Sequence, residues 1–356
     1  MRVLSVVGAR PQFIKAAPVC RALRERHQEI LVHSGQHYDP EMSDVFFEEL
    51  GIPEPDVNLG VGSGSHAFQT AEIMKRLEPV IDETAPDVVL VYGDTNTTLA
   101  GCLAAVKIGV PVAHVEAGLR SFNRAMPEEL NRVLVDRVAD VLFCPTQQAA
   151  ENLAREGITD GIAVVGDVML DVARSVAELS DSRAVHEHGL TPGGYFLATV
   201  HRASNTDDPR ALASIIEGFT RLPMPVIWPI HPRTRHAARQ SGLEGSLRDA
   251  SGIIVVDPVP YTTLVALLRE AAAVLTDSGG IQKEAYFFGV PCVTLREETE
   301  WVETVELGWN RLVGTDPDAI ADAAVHLQRP ADRPPVYGDG HAAPKIVDEL
   351  ERRYGR

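Results

Sequence analysis

The chain has 356 residues, too long for one typical doubly wound domain and suited to two, each able to bury its own core. Its composition, 45% hydrophobic and 23% charged, is that of an ordinary globular protein, and a formal net charge of -17 argues against nucleic acid and anionic membrane as partners. No stretch is apolar for long enough to span a bilayer, and residues 1–8 read as a first strand rather than a signal peptide. The four cysteines (Cys20, Cys102, Cys144, Cys292) lie scattered in apolar segments, so buried thiols in a cytoplasmic protein are expected.

Short β-branched runs at 2–7, 29–34, 88–92, 112–115, 141–144 and 163–165 alternate with helical apolar spacing at 15–26, 66–84, 96–108 and 147–156. This is a βαβ series with a parallel sheet. The strand rhythm stops over 174–194, a polar stretch with helical spacing that ends in Thr191-Pro192-Gly193-Gly194, and the domain linker is expected there. The alternation restarts with strands at 195–200, 226–229, 252–256, 273–276 and 291–295 and helices at 208–221 and 261–270. The expected architecture is therefore α/β, with two Rossmann-like domains at 1–172 and 190–340. A last helix over 344–354 is expected to pack back on the first domain. Ligands of open α/β sheets bind beyond the carboxyl ends of their strands, which places the site in a cleft between the halves.

Polar residues do follow the strands. After the first comes Gly8-Ala9-Arg10-Pro11-Gln12-Phe13-Ile14-Lys15, where Gly8 permits a tight turn and Arg10 and Lys15 are cations at a helix start. Cations there oppose the helix dipole by roughly 0.3–1 kcal/mol each, which favours a functional reason for them. Asp94, in Gly93-Asp94-Thr95-Asn96, stands at a strand end and equally in the position of a helix N-cap. Glu116 ends the next strand in an apolar setting that should raise its pKa. Glu128 and Glu129 follow Pro127 at a helix start, where acids are also placed for the dipole alone. In the second half His201 and Arg202 end one strand, and His231, beside Pro232, ends another, where it reads equally as a loop histidine. Gly60-Val61-Gly62-Ser63-Gly64 lacks the spacing of a dinucleotide fingerprint and reads as a loop, with Ser65 capping the next helix.

The stretch Asp277-Ser278-Gly279-Gly280-Ile281-Gln282-Lys283-Glu284-Ala285 follows an apolar strand and opens a helix. Two residues without Cβ let a phosphate approach the first helical N–H groups. Glu284, read as one turn into the helix, has the wrong charge for a phosphate and suits the hydroxyls of a ribose. A nucleoside diphosphate is the expected ligand. Carboxylates, a histidine and cations with no metal-ligand spacing fit proton transfer coupled to departure of the diphosphate.

These motifs together resemble those of the non-hydrolysing UDP-N-acetylglucosamine 2-epimerase family. They are Gly8-Ala9-Arg10-Pro11 with Ile14-Lys15, Ser34-Gly35-Gln36-His37, Gly93-Asp94-Thr95, His114-Val115-Glu116-Ala117-Gly118-Leu119-Arg120, Pro127-Glu128-Glu129 with Asn131-Arg132, His201-Arg202, Asp277 to Gln282 with Glu284-Ala285, and Thr299-Glu300. The resemblance runs end to end. It implies a glycosyltransferase-B-like fold and reversible epimerisation at C2 of a UDP-2-acetamido sugar, through elimination of UDP to an enzyme-bound glycal and re-addition. Asp94, Glu116 and Glu128 are implied as acid/base groups in an order left open, His201 as an aid at the diphosphate, and Arg10 and Lys15 as active-site cations. Ser278, Gly279, Gly280 and Glu284 are implied to hold phosphates and ribose, and Leu264 stands near the position of an aromatic by the uracil. Members can carry a second, activating UDP-sugar site, for which Gln36, His37, Arg202 and His231 are the positions. The resemblance implies a homodimer and no cofactor or metal.

Two departures bear on the sugar. Trp301 stands in Thr299-Glu300-Trp301-Val302-Glu303 where the family has an arginine, a ring that cannot itself neutralise charge. Ala203-Ser204-Asn205 lacks the acid common before the asparagine. A UDP-2,3-diacetamido-uronic acid, or hydrolysis of the glycal, therefore stays open. An inverting glycosyltransferase of the same fold would not need three carboxylates in one domain, and a non-catalytic sugar binder would be free to lose them.

Overall fold

The computed structural model describes residues 1–35, 51, 53–181 and 183–355, except the side chains of Arg10 and Asp249. It divides into two compact units, one comprising Met1–Arg174 and Pro335–Arg356, the other Ser175–Pro334.

In the first unit seven described strands form one parallel sheet in the order β3-β2-β1-β4-β5-β6-β7. They are β1 (Arg2–Val7), β2 (Gln28–His33), β3 (Val57–Asn58), β4 (Val88–Tyr92), β5 (Val112–Val115), β6 (Val141–Cys144) and β7 (Ile162–Val164). All five residues of β4 are buried, because a parallel sheet covered on both faces gives its central strands no wet side. The helix Asn96–Lys107 is rich in small residues and lies close on the sheet; a Cβ on Gly101 would stand 3.1 Å from Val91 Cγ1. Ser65 caps the helix His66–Thr84, accepting from the Phe68 N–H at 3.3 Å, so the glycine-rich run before it is a loop. The helix Ala342–Tyr354 closes this unit. Both Asp171 carboxylate oxygens accept from its first N–H groups, of Ala342 at 3.0 Å and Ala343 at 2.8 Å.

The second unit repeats the plan with six described parallel strands, ordered β10-β9-β8-β11-β12-β13. These are β8 (Phe196–Thr199), β9 (Val226–Pro229), β10 (Ile253–Val256), β11 (Ala273–Thr276), β12 (Cys292–Thr294) and β13 (Asn310–Leu312). Phe196 and Ala198 join one buried cluster with Trp228 and Leu275, while Tyr195 and Leu197 join another with Ile227 and Val274. The alternation puts a packed core on each face of the sheet.

Several elements escaped the sequence reading. β3 has two residues and β13 three, too short to show alternation. The polar helix Pro232–Gln240 and the short Val302–Glu306 carry no apolar stripe long enough to read. The helix Val168–Leu179 runs through the first part of the stretch read as linker. None of the described helices is long and apolar enough to cross a membrane.

Candidate functional site

In each sheet the strand order reverses at one point, and Gly8, Asp94, His201 and Ser278 follow the strands that flank it. In the first unit the reversal lies between β1 and β4. Gly8 follows β1 with an ordinary backbone; it is glycine because a Cβ would collide with Ser34 Oγ and Thr97 Oγ1, not because the turn needs it. The unpredicted Gln12 staples this turn to the end of β4. Its Oε1 accepts from the Gly8 N–H at 2.9 Å and the Ala9 N–H at 3.0 Å, and its Nε2 donates to the Tyr92 carbonyl at 2.8 Å.

The helix expected from residue 15 begins at Arg10, so Lys15 lies in its second turn rather than at its start. The Lys15 ammonium pairs with Glu116 Oε2. The sequence expectation for Glu116 took in its apolar setting and not this cation. Glu116 sits at φ +71°, a left-handed backbone that costs a side-chain-bearing residue on the order of 1 kcal/mol or more. Its N–H and that of Ala117 both reach the Phe143 carbonyl, at 3.1 and 3.0 Å. Gly93 lies against the pair: a Cβ there would stand 3.4 Å from Lys15 Nζ and 3.6 Å from Glu116 Oε2.

Asp94 is not the N-cap of the next helix; Thr95 is. The Asp94 carboxylate is gripped instead by Arg132, and its carbonyl accepts from Asn131 Nδ2 at 2.9 Å. Glu129 is a structural acid, accepting from the N–H groups of Ser121 (3.0 Å) and Phe122 (2.9 Å) and from Arg132 Nη1 (2.8 Å). Burial would raise its carboxyl, but these donors outweigh burial and hold it below the usual glutamate range. Glu128, one residue earlier and half-buried, has no hydrogen-bond or ion-pair partner among the described residues. Gln36, His37 and the Arg10 side chain lie outside the described residues.

In the second unit the reversal lies between β8 and β11. The fully buried Asp277 was quoted in the motif without a role. It accepts from the backbone N–H groups of His201 (3.0 Å) and Arg202 (2.9 Å) and from Asn205 Nδ2 (3.1 Å), fixing the turn after β8 against the end of β11. Ser278 is the N-cap of the helix Gly279–Phe288, with no side-chain cap bond. That leaves the first N–H groups of the helix without intrahelical acceptors. At Gly279 a Cβ would stand 3.3 Å from Trp301 Nε1, a tight approach, and 3.7 Å from Glu300 Oε2, an ordinary contact.

Glu284 lies past the first turn of the helix, as expected, is buried, and accepts from the Tyr261 hydroxyl at 2.9 Å. Burial, and then the Glu284 charge, push the Tyr261 phenol well above its ordinary value, so this tyrosine stays a donor. Leu264 is on the same helix as Tyr261, half-buried against the core. The His201 and His231 rings lie 5.4 Å apart, and His231 caps the helix Pro232–Gln240, its Nδ1 accepting from the Arg233 N–H at 3.1 Å. Arg202 Nη2 is 3.9 Å from Glu300, which Arg296 holds through two 3.1 Å bonds. Trp301, a ring that cannot itself neutralise charge, has a cation against it: the Lys283 ammonium lies 4.0 Å from its ring centroid, a cation–π distance. Among the described residues no group of three or more His, Cys, Asp or Glu could hold a metal ion.

The family model described as UDP-N-acetylglucosamine 2-epimerase matches residues 21–351. The chain is 48% identical to the UDP-2,3-diacetamido-2,3-dideoxy-D-glucuronate 2-epimerase of Pseudomonas aeruginosa, over 99% of this chain and 100% of the relative. It is 41% identical to the UDP-N-acetylglucosamine 2-epimerase of Methanocaldococcus jannaschii, over the full length of both. The crystal structure of a Methanocaldococcus jannaschii UDP-GlcNAc 2-epimerase in complex with UDP-GlcNAc and UDP superposes with a TM-score of 0.88 at 40% identity, covering 99% of this chain and 100% of that one.

Proposed function

Because the chain belongs to the UDP-N-acetylglucosamine 2-epimerase family, we propose that it interconverts UDP-N-acetylglucosamine and its C2 epimer without net hydrolysis. The observation that carries this reading is the state of the three carboxylates of the first unit. Glu116 is paired with Lys15, Asp94 is oriented by Arg132, and the Glu128 carboxylate stands at a helix start without a partner among the described residues. Two held acids and one unheld acid suit a reaction that takes a proton from one face of a carbon and returns one to the other.

A C2–H bond is a weak acid, so its removal has to be coupled to loss of a stabilised leaving group. In the proposed step a carboxylate takes the C2 proton, the C–H electron pair becomes the C1=C2 double bond, and the C1–O bond breaks to release UDP as the anion. The open helix start at Ser278-Gly279-Gly280 is suited to hold that anion, and each 1.36 kcal/mol it contributes is worth about tenfold in rate. Addition of UDP back to C1, with protonation of C2 from the opposite face, completes the exchange. Glu284, oriented by Tyr261, is the proposed acceptor for the ribose hydroxyls, with Leu264 near the uracil. His201 is proposed to assist at the diphosphate with Arg10, and Arg202, His231, Gln36 and His37 to belong to an activating UDP-sugar site.

A second reading, that the sugar is a 2,3-diacetamido uronate, is supported by Lys283 held against Trp301 and by the 48% identity to an enzyme of that name. Proton NMR of each UDP-sugar in D2O separates the readings. Deuterium entering C2 of UDP-N-acetylglucosamine with a manno product supports the first, exchange only with the uronate supports the second, and free UDP with reducing sugar would sink the non-hydrolysing assignment.

A homodimer is part of the proposal. Leu130, Leu134 and Val138, spaced i, i+4, i+8 on the helix Pro127–Val138, are 41%, 51% and 38% exposed, an apolar stripe that a second copy would cover. A Leu134→Glu variant that keeps the wild-type mass in light scattering would refute that face. A cytoplasmic setting and a role in polysaccharide synthesis are likewise proposed, the former supported by four free, buried cysteines.

A further inference from the structure

His114 is fully buried in β5, two residues before Glu116, and the epimerase reading gives it no task. Its Nδ1 lies 2.7 Å from Asp136 Oδ1, and its Nε2 lies 2.7 Å from the carbonyl oxygen of Gly93. A carboxylate and a carbonyl oxygen are both acceptors, so both ring nitrogens must donate for both contacts to be hydrogen bonds. A neutral ring could satisfy only one and would leave a buried acceptor facing a lone pair.

Asp136 is fully buried; its Oδ2 accepts from the Gly118 N–H at 3.1 Å and from Arg120 Nη1 at 2.7 Å, and Arg120 turns its other nitrogens to Glu156 at 2.7 and 2.8 Å. Glu156 is exposed, so the ionisable groups this network buries are Asp136, Arg120 and the His114 ring. Burial by itself would raise the Asp136 carboxyl, but His114 and Arg120 outweigh it and keep it ionised below its usual range.

The two ends of this network are the two turns that carry the held acids. Gly93, whose carbonyl His114 grasps, immediately precedes Asp94, and Gly118, whose N–H Asp136 takes, closes the strained turn that begins at Glu116. Gly118 is at φ +80°, and a Cβ there would collide with the Ala149 carbonyl, so the turn has no slack. We propose that His114 is a positioning residue: as an imidazolium bridging Asp136 and the Gly93 carbonyl, it sets the Asp94 turn and the Glu116 turn in fixed register. It touches no substrate. The role rests on the epimerase reading for the work of the two acids.

Two measurements test this. Histidine-selective 15N labelling, with His114 assigned by its loss in a His114→Gln variant, reads the ring directly; two N–H groups are expected at neutral pH. The variants His114→Gln and His114→Asn, whose amides can donate on one side only, are then compared with wild type for C2 exchange in D2O and for UDP affinity. Exchange is expected to fall about 10²-fold with UDP affinity within about twofold, since displacing reacting groups by about 1 Å costs on that order. Unchanged exchange, or exchange and UDP affinity lost in parallel, overturns the inference. If the variants do not fold, His114 is assigned in the wild-type protein through its own backbone resonances, and a ring carrying a single proton overturns the inference alone. Wild type without exchange on any UDP-2-acetamido sugar sinks the epimerase reading, whereas a singly protonated ring in an exchanging enzyme sinks only the role of His114.

Discussion

Arg132 holds Asp94 by two nitrogens on one oxygen, Nη2 at 2.7 Å and Nε at 3.0 Å from Oδ2, while its Nη1 holds Glu129 at 2.8 Å. The guanidinium is buried, so its planar fork is the frame on which this carboxylate is set. Replacement by lysine keeps a charge but loses the fork. Arg132→Lys is expected to lower kcat about 10²-fold with little change in KM. A change confined to KM would mean that Arg132 serves substrate binding instead.

Asp94→Asn and Glu116→Gln are expected to abolish turnover while UDP still binds, because neither acid is among the groups assigned to the nucleotide, which apart from Arg10 belong to the second unit. Calorimetric titration with UDP makes the comparison. Lost affinity in either variant would remove these acids from the proton-transfer role.

Tyr261→Phe takes the hydroxyl from Glu284 and leaves a buried carboxylate with one donor fewer. The lost bond is worth about 1–1.5 kcal/mol, or about tenfold in UDP affinity. Glu284→Ala should weaken UDP at least as much with the fold intact. Full affinity in both variants would end the ribose assignment.

Glu300 supplies a test by pH. Burial would raise its carboxyl, but the two bonds and the charge of Arg296, with Arg202 beyond, outweigh burial and hold it below the ordinary value of 4.5. A depressed folded-state pKa contributes stability that is complete above the unfolded value and is lost as pH falls through the folded one. The melting-temperature gap between wild type and Glu300→Gln should therefore be widest above about pH 5 and shrink steadily below about pH 4. A gap unchanged from pH 7 to pH 3 would mean that the Arg296–Glu300 pair adds nothing.

The thiols of Cys102, Cys144 and Cys292 are pushed up to about 12, by burial first in each case, and Cys20 is raised by burial as well. Little thiolate forms at neutral pH, so an aromatic disulfide reagent should leave the folded protein untouched and react with all four thiols in guanidinium. Fast labelling of the native protein would show that one of these thiols reaches solvent.

Sequence periodicity alone determined the parallel α/β plan, because strands such as β4 and β11, buried on both faces, have to be short, continuous apolar runs with turn residues at their carboxyl ends. It placed Asp94, Glu116, His201 and Ser278 at strand ends for the same reason. What the sequence could not contain was the partner of each group. Lys15 and Glu116 are 101 residues apart in the chain and Asp94 and Arg132 are 38 apart, so whether an acid is ion-paired, capped or unheld depends on which turns the sheet brings together. The positive φ at Glu116, the cation under Trp301 and the bridge from Asp136 through His114 to Gly93 likewise exist only in the packed chain. Local pattern fixes where a side chain starts; burial and hydrogen-bond satisfaction across distant segments decide what it meets, and so what chemistry it can do.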